Sequence, residues 1–222
     1  MKYTLFLIFF IMAVYGCSFS QGPSWIARGE YRFDLFKSDF LTDGEDSGTE
    51  SEFAKSVEAI KQGGDLDLLQ KAWLTRAALQ VAVLKDMDEG DYSRIASVES
   101  FPENETFYKF LKGDTAAFDI SLLPEQYRGF LSALLKGDAR VVGDAIVSMK
   151  KKPVSQLVAA GIAVRQHLEN ESIIQTSIAV ASKNGWKSAL IAWMGHLASF
   201  YESAGSAEKA ADVRRRIELI EK

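Results

Sequence analysis

The chain has 222 residues, with 26 lysines and arginines against 30 aspartates and glutamates and a formal net charge of −4. No basic face large enough to neutralise many phosphates is evident, which argues against a nucleic-acid partner. One cysteine leaves no internal disulfide, and 47% hydrophobic residues with four prolines suit one continuous helical domain.

The first residues pair a short positive end, Lys2, with an unbroken apolar run from Leu5 to Val14. A bilayer-spanning helix needs about 20 apolar residues, so this run has signal-peptide length. The sole thiol, Cys17, follows directly. A free thiol is a liability in an oxidising compartment, so the cysteine needs another use.

Val14-Tyr15-Gly16-Cys17 resembles the lipobox of bacterial lipoproteins. The resemblance implies cleavage before Cys17, diacylation of its sulfur with palmitate-like chains, and acylation of the new amino terminus. Residues 1–16 are then a lipoprotein signal peptide. Each buried CH₂ contributes about 0.8 kcal/mol, so several acyl chains give lasting attachment where one does not. Ser18 after the cysteine, rather than Asp, implies the outer membrane, with the body facing the periplasm. A plain secretory signal with a leftover cysteine, or an uncleaved amino-terminal anchor, are the other readings of the same residues.

Residues 17–52 read as a lipid-anchored arm and an acidic linker. Trp25, Ile26, Tyr31, Phe33, Leu35, Phe36, Phe40 and Leu41 are too many apolar side chains for a solvated tether. The arm is expected to be irregular and to pack either on the protein's own helices or on a partner. Trp25, Tyr31, Phe33, Phe36 and Phe40 are therefore the candidate partner-binding residues. Residues 42–52, "TDGEDSGTESE", are acidic and contain no apolar side chain, as a flexible link would be. A calcium loop starting at Asp43 fails, because Ala54 stands where a bidentate Glu is required.

From Phe53 to Lys222 the sequence repeatedly writes helix, glycine, helix. Gly64-Asp65, Gly113-Asp114, Gly137-Asp138, Gly185-Trp186 and Gly205-Ser206 each separate two apolar-periodic runs. Glycine closes one helix in the left-handed conformation, and Asp or Ser caps the next. Phe107, Phe110, Leu111, Lys112, Gly113 and Asp114 are echoed by Leu131, Leu134, Leu135, Lys136, Gly137 and Asp138. Residues 66–85 leave only narrow polar strips, which predicts a helix lying between neighbours. Residues 186–202 place Trp186, Leu190, Trp193, Met194, Leu197, Phe200 and Tyr201 on one helical stripe. No alternation outside the arm is long enough for a sheet, so the fold class is all-α.

Leu197-Ala198, Tyr201, Gly205 and Ala210 stand at the relative positions of the large and small residues, tyrosine, turn glycine and packing alanine of the tetratricopeptide repeat (TPR). The chain departs from that pattern at Arg214 and Ile217, as a terminal repeat with a wet outer face would. Ile162-Ala163 and Asn170 echo the first part of the motif upstream. The resemblance implies helical hairpins stacked as a TPR-like α-solenoid.

The chemistry-bearing side chains are sparse. His167 and His196 are not in a metal-binding spacing, and no nucleophile elbow or phosphate loop is present. Asp86, Asp88, Glu89 and Asp91 read as a solvated turn. Lys150-Lys151-Lys152 complements a helix end, and Arg214-Arg215-Arg216 pairs outward. No enzyme, cofactor or metal is expected. The expectation is a membrane-anchored periplasmic adaptor or scaffold lipoprotein, serving protein–protein interactions in an envelope assembly such as outer-membrane, pilus, secretion or flagellar machinery. The alternative is a periplasmic ligand-binding component associated with a transporter, with a pocket lined by Trp73, Trp186 or Trp193. An envelope hydrolase ranks below both.

Overall fold

A computed structural model describes residues 24–114 and 119–222 of the protein. The expected signal peptide over residues 1–16, Cys17 and Ser18 lie outside the described residues. Within them the chain forms α1 (Ser24–Thr42), α2 (Ser47–Gly63), α3 (Leu66–Ala82), α4 (Gly90–Ala96), α5 (Pro102–Lys112), a 3₁₀ turn (Ile120–Leu122), α6 (Glu125–Leu134), α7 (Ala139–Ser148), α8 (Pro153–Arg165), α9 (Glu171–Lys183), α10 (Lys187–Ser203) and α11 (Ala207–Glu221). No strand occurs among the described residues. The protein is all-α.

The helix boundaries follow local chemistry. Gly64 closes α2 at φ +67°, and Asp65 beside it accepts a 2.8 Å hydrogen bond from the Leu68 amide to start α3. Asp138 does the same for α7 through the Arg140 amide, and Asn170 for α9 through the Ile173 amide. Gly113 closes α5 as expected, but no described helix starts at Asp114, and the 3₁₀ turn is capped by Asp119 instead. The echo between residues 107–114 and 131–138 is thus one of helix ends, not of following helices.

The expected irregular arm and flexible acidic linker are corrected over residues 24–52. Phe33, Phe36 and Phe40 are spaced three and four apart, the repeat of a helix face, and with the α2 residue Phe53 they form one aromatic cluster. Phe36 and Phe53 lie 4.7 Å apart between ring centroids, as do Phe53 and Trp73. Asp46, Glu45 and Glu50 of the acidic stretch are engaged. Asp46 caps α2 through the Thr49 amide at 2.7 Å. Arg76 on α3 takes Glu50 at 2.7 Å, and Lys85 takes Glu45 at 2.8 Å. Burial pushes the Glu45 carboxyl up, but hydrogen bonds from Lys85 and Gln80 outweigh it and hold it below the usual carboxylate range.

The helices stack in an arrangement compatible with a helical solenoid. α3 is the centre: it packs on α1, α2, α4, α5 and α8, which explains its nearly all-round apolar surface. α8 is its main partner, and both helices bury small residues, Ala77, Ala78 and Ala82 against Ala159, Ala160 and Gly161. At the crossing, a Cβ on Gly161 would fall 2.2 Å from the Val81 carbonyl oxygen, so the two backbones nearly touch. The array also folds back on itself, because α10 packs on α1 as well as on its neighbours α9 and α11.

Trp193 on α10 is fully buried and donates its indole N–H to the Ala82 carbonyl at the end of α3, 2.9 Å away. This bond joins the carboxyl-terminal helices to the central one. Trp193→Phe keeps most of the ring but leaves that carbonyl without the donor, which should cost about 2 kcal/mol. Thermal melting should register a drop of several degrees. An unchanged melting temperature would show that the bond adds nothing to the fold.

Candidate interaction surface

The five aromatic residues of the amino-terminal segment part company in the structure. Phe36 and Phe40 are 0% exposed and belong to the core, so they present no surface to a partner. Tyr31 is 60% exposed on the outer face of α1, with the Arg32 guanidinium over its ring. Trp25 and Phe33 face a groove.

That groove runs between the first half of α1, the end of α2 and the first half of α3. Trp25, Ile26, Gly29 and Phe33 form one wall, Ile60 the floor, and Leu68 and Ala72 the other wall, enclosing about 120 Å³. Gly63 makes room for Trp25: a Cβ there would meet the indole at 2.3 Å. The rim is polar, with Glu30, Thr75 and Lys71, the last held by Asp67 at 2.6 Å. The lining is apolar beneath a charged edge, as suits an apolar side chain or helix face of a partner. Ile60, Leu68 and Ala72 were not among the sequence candidates; the signal that finds them is the helical period of residues 25–33, which aims Trp25 and Phe33 at α3.

A second groove of about 190 Å³ lies between α9, α10 and α11. Ile178, Met194, Leu197, Tyr201 and Val213 line it, with Lys209, Asp212 and Arg216 at its edge. The Tyr201 hydroxyl donates to Glu171 at 2.5 Å, and this hydrogen bond raises the phenol above its ordinary value. Leu197, Ala198, Tyr201 and Ala210 are all buried.

The remaining candidates are dispersed. Trp193 is sealed in the core, Trp73 lies edge-on to Phe53 with Arg76 over its ring, and Trp186 packs at the core margin. None of these three tryptophans lines either groove. His167 ends α8 in the left-handed conformation at φ +53°. His196 stands 6.1 Å from Trp193, and burial lowers its pKa against the opposing pull of Glu169. Among the described residues no group of three His, Cys, Asp or Glu side chains could hold a metal. The acids around α4 are spoken for. Asp88 accepts from the Gly90 amide, Glu89 from the Tyr108 hydroxyl and Lys112, and Asp91 pairs with Arg94. The Tyr108 bond is the main reason that the Glu89 carboxyl is held low.

No helix among the described residues is long and apolar enough to cross a membrane. No family model matches the chain, and neither a curated protein nor a solved structure is detectably similar to it.

Proposed function

We propose that the protein is a lipid-anchored, TPR-like adaptor of the bacterial envelope, tethered through Cys17 and presenting its helical body to another envelope protein in the periplasm. The observation that carries this reading is the apolar groove of Trp25, Ile26, Phe33, Ile60 and Leu68. It opens at Trp25 in the first turn of α1, eight residues after the lipobox-like cysteine by sequence number. A partner docking there is held at membrane level. Stacked helices with a repeat-like carboxyl end supply a rigid body around it, and the anchor supplies location without a membrane-spanning helix.

Growth with labelled palmitate should label the protein, and Cys17→Ser should abolish both labelling and membrane retention. Crosslinking in intact cells should then capture an envelope protein that Trp25→Ser no longer retains. Trp25 is half-buried at the groove's mouth, so this substitution should cost the fold little more than 1 kcal/mol. Labelling that survives in the Cys17→Ser variant would sink the lipoprotein reading, and capture that survives Trp25→Ser would sink the groove.

A further inference from the structure

We propose that the turn Lys150-Lys151-Lys152 rests on an anionic phospholipid surface and so sets how the tethered body faces its membrane. The proposal rests on the lipid-anchor reading above and adds an orientation to it. Its first support is register. Gly161 on α8 meets Val81 on α3, and further along the chain in the same sense Arg165, the last residue of α8, donates to the carbonyl of Lys85, three residues past the end of α3, at 2.7 Å. α3 and α8 therefore run in the same direction, and the turn before Pro153 lies level with the first turns of α3. α6 agrees with this placement: Lys152 reaches Gln126 at 3.3 Å, the ring of Tyr127 lies 5.7 Å from that of Phe107 between centroids, and one turn earlier on α5 Asn104 donates to Asp67 at 2.9 Å. The first turns of α3 are also where Trp25 sits, between Gly63 and Leu68. The start of α1, which the anchor precedes, and the lysine turn thus occupy one end of the molecule.

The second support is charge. All three lysines are exposed, and among the described residues no carboxylate forms an ion pair with any of them. Elsewhere Lys55, Lys71, Lys85, Lys109 and Lys112 each have an acidic partner within 3.1 Å. The lysine turn borders an open concavity of about 360 Å³ in which Glu125 is the one acid. In a chain of net charge −4 this leaves a local positive surface where the anchor would bring the protein against lipid headgroups. A tether alone lets the body tumble. A basic contact at the tethered end would hold the α1 groove at a fixed angle to the membrane.

The test uses the full chain carrying Cys17→Ser, so that no acyl chain contributes, sedimented with phosphatidylglycerol vesicles. Each lysine near an anionic surface adds about 1 kcal/mol, or about fivefold, so K150Q/K151Q/K152Q should weaken binding roughly 100-fold, and K150Q/K151Q alone roughly 30-fold. Binding by the parent should fall as salt is raised. Helical circular dichroism of both variants should match the parent, since the exchanged side chains are exposed. Equal affinity of the parent and the triple variant for these vesicles overturns the proposal. So does unchanged vesicle binding with lost capture of an acidic envelope protein, which assigns the turn to a protein partner. Palmitate labelling reports on Cys17 alone, so failure of the anchor and failure of the lysine contact are separate results.

Discussion

Gly161→Ala is expected to lower the melting temperature by roughly 6 to 12 °C, and Gly161→Val to prevent folding. The added Cβ would lie 2.2 Å from the Val81 carbonyl oxygen and 3.0 Å from its carbonyl carbon. Those atoms belong to the α3 backbone and cannot turn aside as a side chain end would. To admit one methyl group, α8 must move off α3, and every buried contact between Ala77–Val81 and Leu157–Ile162 loosens with it. Overpacking ordinarily costs about 1 to 3 kcal/mol, and a backbone obstacle at the central crossing puts this case at the top of that range or above. Gly129→Ala is the matched control. It also lies within a helix, nothing approaches its would-be Cβ within 4 Å, and it should gain about 0.5 to 1 kcal/mol of stability. Thermal melts of the two variants should move in opposite directions. If Gly161→Ala melts with the parent protein, the close crossing of α3 and α8 is not a feature of the fold.

That crossing also marks the limit of what the sequence makes legible. Gly64-Asp65, Gly137-Asp138, Gly185 and Gly205 announce helix ends because the chemistry of a cap is contained in two adjacent residues. The stripe of Trp186 to Tyr201 announces α10, and the narrow polar strips of residues 66–85 announce a helix with neighbours on most sides. Which neighbours is a different question. Gly161 and Val81 are 80 residues apart, and small residues on α8 fit small residues on any helix, so nothing local pairs these two. The same holds for Trp193 and the Ala82 carbonyl.

The amino-terminal segment shows a second way in which local reading falls short. Its aromatic richness suggests a sticky arm, but the spacing of Phe33, Phe36 and Phe40 by three and four is that of a helix face, and the segment is the helix α1. The acids of residues 42–52 looked solvated because their bases are far along the chain: Arg76 for Glu50, Lys85 for Glu45. An acidic stretch whose charges are answered from another helix looks, in sequence, like one answered by water. Once α1 is a helix its period divides the aromatics, sending Phe36 and Phe40 inward, Tyr31 outward, and Trp25 and Phe33 to the groove.

This division yields the other large effect. Phe36→Ala combined with Phe40→Ala should leave the protein without a cooperative melting transition. Each ring is 0% exposed, and Phe36 touches the rings of Phe33, Phe40 and Phe53. Truncating a buried Phe costs about 3 to 5 kcal/mol through lost burial and the cavity left behind. Two such losses in adjacent turns of one helix approach or exceed the whole stability of a typical domain, about 5 to 15 kcal/mol. The damage would not stay in α1, because α1 closes the array by packing on α3 and α10. Tyr31→Ala, by contrast, removes a ring already mostly in water and should leave the melting temperature within about a degree. Circular dichroism melts of the three proteins separate the possibilities. If the Phe36/Phe40 variant melts cooperatively near the parent temperature and loses only its envelope partner, α1 is a recognition element held out from the body, and its place in the core described above is wrong. If the transition is lost while Tyr31→Ala retains it, the amino-terminal segment is part of the fold, and recognition is left to the groove that Trp25 and Phe33 line.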